Sequence, residues 1–204
     1  MKIYCLFAGV NGSGKSTFYH SNPSFFDGYV RVNTDEMLRK MNGNWKDPKD
    51  IFCAGKKTVQ LLKKSILEGK SICQETTLTG NSIIKNIVDA KSKGYFIKIY
   101  YMGLESADLA ISRVQKRVEE GGHGISEEDI RRRYDVSMRN LISVLPYCDK
   151  LYVYDNSCEN CKPKRILIAN FESSEKNINN EIPEWGKNIV EAVNSYLSRY
   201  SAYQ

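Results

Sequence analysis

The stretch that decides the fold reads Gly9-Val10-Asn11-Gly12-Ser13-Gly14-Lys15-Ser16-Thr17. It matches G-x-x-x-x-G-K-S, the phosphate-binding P-loop, and it follows an apolar run at residues 2–8 that suits a buried strand. The glycines let the backbone fold so that its N–H groups point at anionic oxygens, and the helix that opens after the loop adds partial positive charge. Lys15 is long enough to reach the β- and γ-phosphates, and the Ser16 hydroxyl can bind Mg²⁺. The predicted nucleotide-binding residues are Gly9, Asn11, Gly12, Ser13, Gly14, Lys15, Ser16 and Thr17.

Length and composition are those of one soluble globular domain. The chain has 204 residues, of which 41% are hydrophobic and 26% charged, and these fractions are ordinary. We therefore expect a single domain over 1–204, with no membrane span, no signal peptide and a cytoplasmic location. The net charge of +6 is compatible with anionic substrates, but it lacks the clustering typical of nucleic-acid binders.

The cysteines do not form a recognisable metal site. Cys5 and Cys73 lie in apolar, strand-like runs, where a thiol acts as a small buried hydrophobe. Cys158 and Cys161 make a single C-x-x-C without the second pair that a structural zinc site needs. We predict a loop with two free or occasionally oxidised thiols.

Strands and helices alternate along the chain. Apolar and branched runs predict strands near 2–8, 29–33, 71–75, 95–102, 150–154 and 165–171, with Thr34 capping a short helix after the second strand. The polar stretch 173–180 predicts no element, and a helix near 183–200 ends the chain. This order indicates an α/β fold of the P-loop NTPase type, with three α/β/α layers and a mostly parallel sheet. Ligands then lie at the carboxyl ends of the strands.

Two carboxylates follow the second and third strands. Asp35 would face the crevice beside the phosphates, where it can accept a proton from a substrate hydroxyl; the alternative is an ordinary acid in the first turn of a helix. Glu75, followed by Thr76 and Thr77, ends the third strand. Glu75 can hold Mg²⁺ through water or bind a substrate hydroxyl, although its strand is too polar for a typical Walker B strand. The predicted substrate-binding residues are Asp35, Glu75, Thr76 and Thr77.

Two predicted helices flank the turn Gly-Gly-His-Gly at 121–124 and carry several arginines. Such a pair predicts a lid over about 105–140 that closes on nucleotide. Arginines there can clamp the charge of a transferring phosphoryl group, and the alternative is a solvated basic face. His123 is expected to make a turn or lid contact rather than to act as a general base. The candidate arginines are Arg113, Arg117 and Arg133.

Taken in order, these motifs resemble the zeta toxin family of P-loop kinases, and above all its compact zeta-toxin-like members in bacteria. The similarity extends to about Ser157. The segments that carry it are Ala8–Thr17, Val32–Glu36, Glu75–Gly80, Arg113-Val114, Arg117-Val118, Gly121–His123, Arg132–Tyr134, Ser137, Asn140-Leu141 and Tyr154–Ser157.

The resemblance implies an ATP- and Mg²⁺-dependent kinase with a small hydroxyl substrate. Family toxins phosphorylate UDP-N-acetylglucosamine, and an antitoxin protein is their partner. Carried over, Lys15 and Ser16 bind phosphates and Mg²⁺, Asp35 is the base, and Glu75 and Thr77 line the acceptor site. The arginines at 113, 117 and 133 would contact the γ-phosphate, without a unique match to the family's lid arginines.

Two further functions stay open on the sequence. One is a nucleotide or polynucleotide kinase, against which the unclustered charge argues. The other is a nucleotide-dependent switch or ATPase that works with a protein partner. ATP rather than GTP rests on the resemblance, and the base is expected to bind near the loop 155–164.

Overall fold

The computed structural model describes residues 1–201. Its helices are α1 Lys15–Ser21, α2 Thr34–Lys40, α3 Pro48–Leu67, α4 Asn81–Ser92, α5 Ala107–Glu119, α6 Glu127–Val144 and α7 Glu184–Ser201. Its strands are β1 Ile3–Ala8, β2 Val30–Val32, β3 Ile72–Thr76, β4 Phe96–Gly103, β5 Lys150–Asp155, β6 Lys164–Asn170 and β7 Glu175–Ile178. Two short 3₁₀ turns, Pro23–Phe26 and Leu145–Tyr147, complete the ordered elements.

The strands form one mixed sheet in the order β2-β3-β1-β4-β5-β6-β7. The strands from β2 to β5 run parallel, while β6 and β7 are antiparallel. The predicted α/β class with a mostly parallel sheet is confirmed. Because β1 lies between β3 and β4, the loop after β1 opens at the carboxyl edge of the sheet.

Helices cover both faces of the sheet, because successive side chains of a strand point to opposite sides. Leu6 of β1 belongs to the larger core, which contains residues of α3, α4, α6 and α7. Phe7 faces the other way, into an aromatic cluster with Tyr100 and Phe26 against which Phe18 of α1 packs. The three predicted layers are therefore present.

Two local predictions were wrong. The cap of α2 is Asn33 rather than Thr34, since the Asn33 Oδ1 atom accepts hydrogen bonds from the N–H groups of Asp35 (2.8 Å) and Glu36 (3.1 Å). The polar stretch at 173–180 contains β7, an exposed edge strand that pairs with β6. Its sequence, EKNI, has little of the apolar alternation that a half-buried strand shows.

The cysteines follow two patterns. Cys5 and Cys73 are buried and free, as predicted. Cys158 and Cys161 form a disulfide, so the oxidised alternative replaces the expected free thiols. Asn160 has a left-handed φ of 62°, and the turn brings the two Cα atoms to 5.5 Å, within the usual span of a disulfide.

None of the helices in the described part of the chain combines the length and the apolar character needed to cross a membrane.

Candidate active site

The P-loop connects β1 to α1 and depends on glycine at two close approaches. Gly9 has φ +139°, and a Cβ atom there would lie 2.2 Å from the Met102 carbonyl oxygen. Gly14 has φ +88°, and its Cβ would lie 2.3 Å from Nδ2 of Asn156. That amide donates to the Ser13 carbonyl at 3.0 Å, so the loop after β5 is hydrogen-bonded directly to the P-loop.

Lys15 is buried, and no carboxylate among residues 1–201 forms an ion pair with it. Its side chain is folded onto the P-loop, where Nζ donates to the Val10 carbonyl at 2.8 Å. Burial lowers the pKa of Lys15 to about 8, against the opposing charges of Glu75 and Asp35. A phosphate anion beside this lysine would favour its charged form, so the loop and its lysine fit a nucleotide.

Ser16 and Glu75 present two oxygen ligands side by side. The Ser16 hydroxyl donates to Oε1 of Glu75 at 2.6 Å. The second carboxylate oxygen, Oε2, accepts from Nη2 of Arg31 at 2.5 Å and from Nδ2 of Asn33 at 2.7 Å. A hydroxyl and a carboxylate oxygen are the hard ligands that Mg²⁺ prefers, usually together with substrate phosphates. These two residues therefore fit a magnesium ion.

Asp35 lies in the first turn of α2 and meets the turn between α5 and α6. Its Oδ2 atom is 2.9 Å from Nε2 of His123. Burial alone would raise the pKa of Asp35, but the hydrogen bond and charge of His123, with the charges of Arg117 and Lys15, outweigh it and hold that pKa below its ordinary value. The carboxylate is thus kept ionised, which is the form that a general base needs.

Thr76 and Thr77 shape the turn that follows β3. The Thr76 hydroxyl accepts from the Leu78 N–H at 2.9 Å, and the Thr77 and Thr79 hydroxyl oxygens lie 2.8 Å apart. Leu78 has a left-handed φ of 58°, which these local bonds help to hold. Their predicted contact with a substrate stays a prediction.

The predicted arginines are divided between two places. Arg117 donates from Nη2 to the His123 carbonyl at 2.6 Å, and Arg133 donates from Nη1 to Oδ1 of Asn11 at 3.2 Å. Burial lowers the pKa of both guanidinium groups. Arg113 instead donates to the Ser157 carbonyl at 3.3 Å and so supports the loop after β5. Arg117 and Arg133 gather near Lys15, whereas the role of Arg113 in phosphate binding stays a prediction.

Three residues of the site had no role predicted from the sequence: Arg31, Asn33 and Asn156. Arg31 and Asn33 are two residues apart and therefore lie on the same face at β2. Arg31 is in register with Cys73 of β3, so Glu75, two residues beyond Cys73, lies on that face as well. The sequence did contain a signal for this pair. Arg31 is a charged residue inside a short apolar strand, and the neighbouring strand carries the acid Glu75. Asn156 stands in the Tyr-Asp-Asn-Ser segment, whose contact with the P-loop depends on the tertiary fold.

The fold and the P-loop define an NTPase of the P-loop type. Residues 5–136 match the family model described as an AAA domain, and the chain belongs to that family. An uncharacterized protein of Haemophilus influenzae is 33% identical over 132 residues, which make up 65% of this chain and 90% of that protein.

Solved structures share the fold at low sequence identity. A chain of the PezAT chromosomal toxin–antitoxin system of Streptococcus pneumoniae has a TM-score of 0.61 at 16% identity, over 98% of this chain and 86% of that chain. A chain of the AvrRxo1-ORF1:-ORF2 complex with ATP has a TM-score of 0.63 at 14% identity, over 88% and 61%. A chain of the Pnkp1/Rnl/Hen1 RNA repair complex has a TM-score of 0.51 at 20% identity, over 70% and 47%. The predicted resemblance is confirmed at the level of the fold, which the chain shares with a chain of the PezAT toxin–antitoxin system.

Proposed function

We propose that the protein is a kinase that transfers the γ-phosphoryl group of ATP to the hydroxyl of a small molecule, with a UDP-N-acetyl sugar as the first candidate. The observation that carries the proposal is the placement of Asp35. An ionised carboxylate contacts the α5–α6 turn and interacts electrostatically with Lys15 and Arg117. A kinase needs a base opposite its phosphate cradle.

The residues divide the work of donor binding. The P-loop N–H groups and Lys15 would hold the phosphates, and Arg117 and Arg133 would balance the charge that spreads over the transferring group. Ser16 and Glu75 would hold Mg²⁺, which neutralises phosphate charge when it is bound.

The acceptor side would work through Asp35. Its carboxylate would take the proton of the substrate hydroxyl, while the α5–α6 turn keeps water out. We propose that residues 1–204 form one kinase domain, with about 105–140 as its lid. Glu75, Thr76 and Thr77 would line the acceptor pocket.

A protein partner is part of the proposal. PezAT is a toxin–antitoxin system, and its fold likeness supports a search for an antitoxin. Co-purification of a product of a neighbouring gene with the tagged protein would test this.

The test of the kinase proposal is transfer of label from γ-³²P-ATP to a metabolite extract and to a panel of UDP-sugars, with a 5′-hydroxyl oligonucleotide as a further acceptor. Lys15→Ala should abolish transfer. Asp35→Asn should keep nucleotide binding and lower transfer by about 10²- to 10⁴-fold, the usual contribution of a general base. Asp108→Asn removes an exposed acid of α5 that pairs with Arg131 and should leave transfer unchanged.

Three outcomes would contradict parts of this proposal. Transfer by Asp35→Asn at the wild-type rate would remove the base assignment. Label on the oligonucleotide alone would assign a polynucleotide kinase. ATP turnover stimulated only by a protein partner would assign a switch.

A further inference from the structure

Arg31, in β2, lies next to the P-loop helix and makes contacts with several side chains. Its Nη2 atom pairs with Oε2 of Glu75 at 2.5 Å, and its Nε atom pairs with Oε1 of Glu36 at 3.1 Å. The guanidinium carbon lies 3.7 Å from the ring centroid of Tyr19 in α1. The side chain is only 12% exposed, so these contacts restrict the guanidinium group.

This arrangement fixes the orientation of the Glu75 carboxylate. Oε2 accepts from Arg31 and Asn33, both of which come from the β2 segment. Oε1 accepts from the Ser16 hydroxyl. A carboxylate with one oxygen occupied by two donors cannot rotate freely, and its other oxygen stays directed at the start of α1.

An arginine suits this position for a physical reason. Its planar fork donates from fixed directions, whereas the ammonium group of lysine is a point charge on a flexible stem. Groups that orient a metal-binding carboxylate through hydrogen bonds commonly matter almost as much as the ligand itself.

We infer that Arg31 is a positioning residue that holds Glu75 so that its Oε1 atom and the Ser16 hydroxyl oxygen are offered together to the Mg²⁺ ion that accompanies the nucleotide. This inference rests on the proposed ATP·Mg²⁺ site and adds a residue outside the P-loop to it. The alternative is that the Arg31–Glu75 pair only joins β2 to β3. The two roles differ in what they change: positioning alters the dependence on Mg²⁺, and a joining role alters stability alone.

The experiment measures binding of a fluorescent ATP analogue, mant-ATP, first in EDTA and then across a Mg²⁺ titration. Arg31→Met keeps an unbranched apolar chain in place of the arginine stem and removes the charge and the fork, and Arg31→Lys keeps the charge without the fork. Arg31→Met should raise the Mg²⁺ concentration for half-maximal effect by about 10- to 100-fold, the usual loss for a group that orients a ligand. Arg31→Lys should give a smaller shift, and binding in EDTA should be unchanged in both.

Glu36→Gln is the matched control, because it removes the other ion pair of Arg31 and leaves Glu75 intact. Its Mg²⁺ midpoint should equal that of the wild type. Thermal unfolding of each variant reports the joining role separately, and if Arg31→Met does not fold, Arg31→Lys decides.

Two results for the Arg31 variants would overturn the inference: a wild-type Mg²⁺ midpoint, or an equal loss of mant-ATP binding in EDTA and in Mg²⁺. Failure of the proposed ATP site looks different, since the wild-type protein itself would then not bind mant-ATP, and failure of the kinase proposal shows only in the label-transfer assay. Wild-type binding that ignores Mg²⁺ would overturn both the metal site and the role of Arg31.

Discussion

His123 Nε2 lies 2.9 Å from Oδ2 of Asp35, and the carbonyl of the same histidine accepts from Nη2 of Arg117 at 2.6 Å. The turn between α5 and α6 is therefore fastened to the first turn of α2. If Asp35 is the base and this turn belongs to the lid, closing the lid and orienting the base are one event.

Replacement of His123 should change the pH dependence of transfer. Burial raises the pKa of Asp35 and His123 lowers it by its hydrogen bond and charge, so His123→Ala should move that pKa upward from its wild-type position, although Arg117 and Lys15 still lower it. Transfer needs the ionised carboxylate and falls as the pH drops through its pKa, so the acid limb of the kcat/KM profile should move to higher pH. His123→Gln keeps an N–H donor without the charge and should move the limb less. An acid limb that stays in place in His123→Ala would contradict the coupling.

Lys15 should make nucleotide affinity depend on alkaline pH. Its pKa in the free protein is about 8 because it is buried, and a bound phosphate favours the charged form and raises that pKa. Binding should then take up a proton near and above that value, and affinity should fall as the pH rises through it. Calorimetry in buffers of different ionisation enthalpy, one unit below and one unit above this pKa, measures the uptake.

Lys15→Arg supplies the control, because arginine stays charged throughout. Whatever its affinity for the nucleotide, this variant should bind it without proton uptake at either of the two pH values. Uptake that persists in Lys15→Arg would assign the proton to another group.

The features that could be predicted from the sequence are those set by residues close together along the chain. The P-loop and the alternation of strands and helices along the chain depend on local patterns, and the sequence carries them. The hydrogen bond between Ser16 and Glu75 joins residues 59 positions apart. No local pattern predicts such a contact, and the polar sequence of β3 argued against a metal-binding role for Glu75. β7 escaped because an exposed edge strand buries little and has little periodicity. The Cys158–Cys161 disulfide depended on a left-handed residue at Asn160, which composition alone does not reveal.

A side chain at Gly14 should be poorly tolerated because it would collide with Asn156, and Gly28 serves as a control for the backbone strain alone. Both have left-handed φ, +88° and +81°, but a Cβ on Gly14 meets Asn156 at 2.3 Å and one on Gly28 meets nothing within 4 Å. Gly28→Ala should cost only the backbone strain, about 1–2 kcal/mol of the free energy of unfolding. Gly14→Ala should cost more and weaken mant-ATP binding, because Asn156 must leave the P-loop. Equal losses in chemical denaturation would show that Asn156 yields freely.

Arg117 should supply binding energy for phosphate rather than for folding. Its Nε atom is buried without a hydrogen-bond partner, and burial lowers its pKa, so the free protein keeps an incompletely paired charge. An anion that pairs with it gains a charge-assisted hydrogen bond, about 1.5–3 kcal/mol. Arg117→Gln should therefore lower the affinity for ATP by about 10- to 100-fold, while the melting temperature of the unliganded protein falls little.

The matched control is Arg131→Gln, which removes an exposed arginine of α6 that pairs with Asp108 at 2.6 Å. Exposed pairs of this kind contribute little, so both the melting temperature and its increase on adding ATP should stay as in the wild type. Thermal shifts with ATP, and with tripolyphosphate to isolate the phosphate contribution, measure the difference, since a ligand at a fixed concentration stabilises the native state by an amount that grows with the logarithm of its affinity. If Arg117→Gln lowers the unliganded melting temperature and keeps the full ATP shift, Arg117 serves the packing of the α5–α6 turn and not the phosphate.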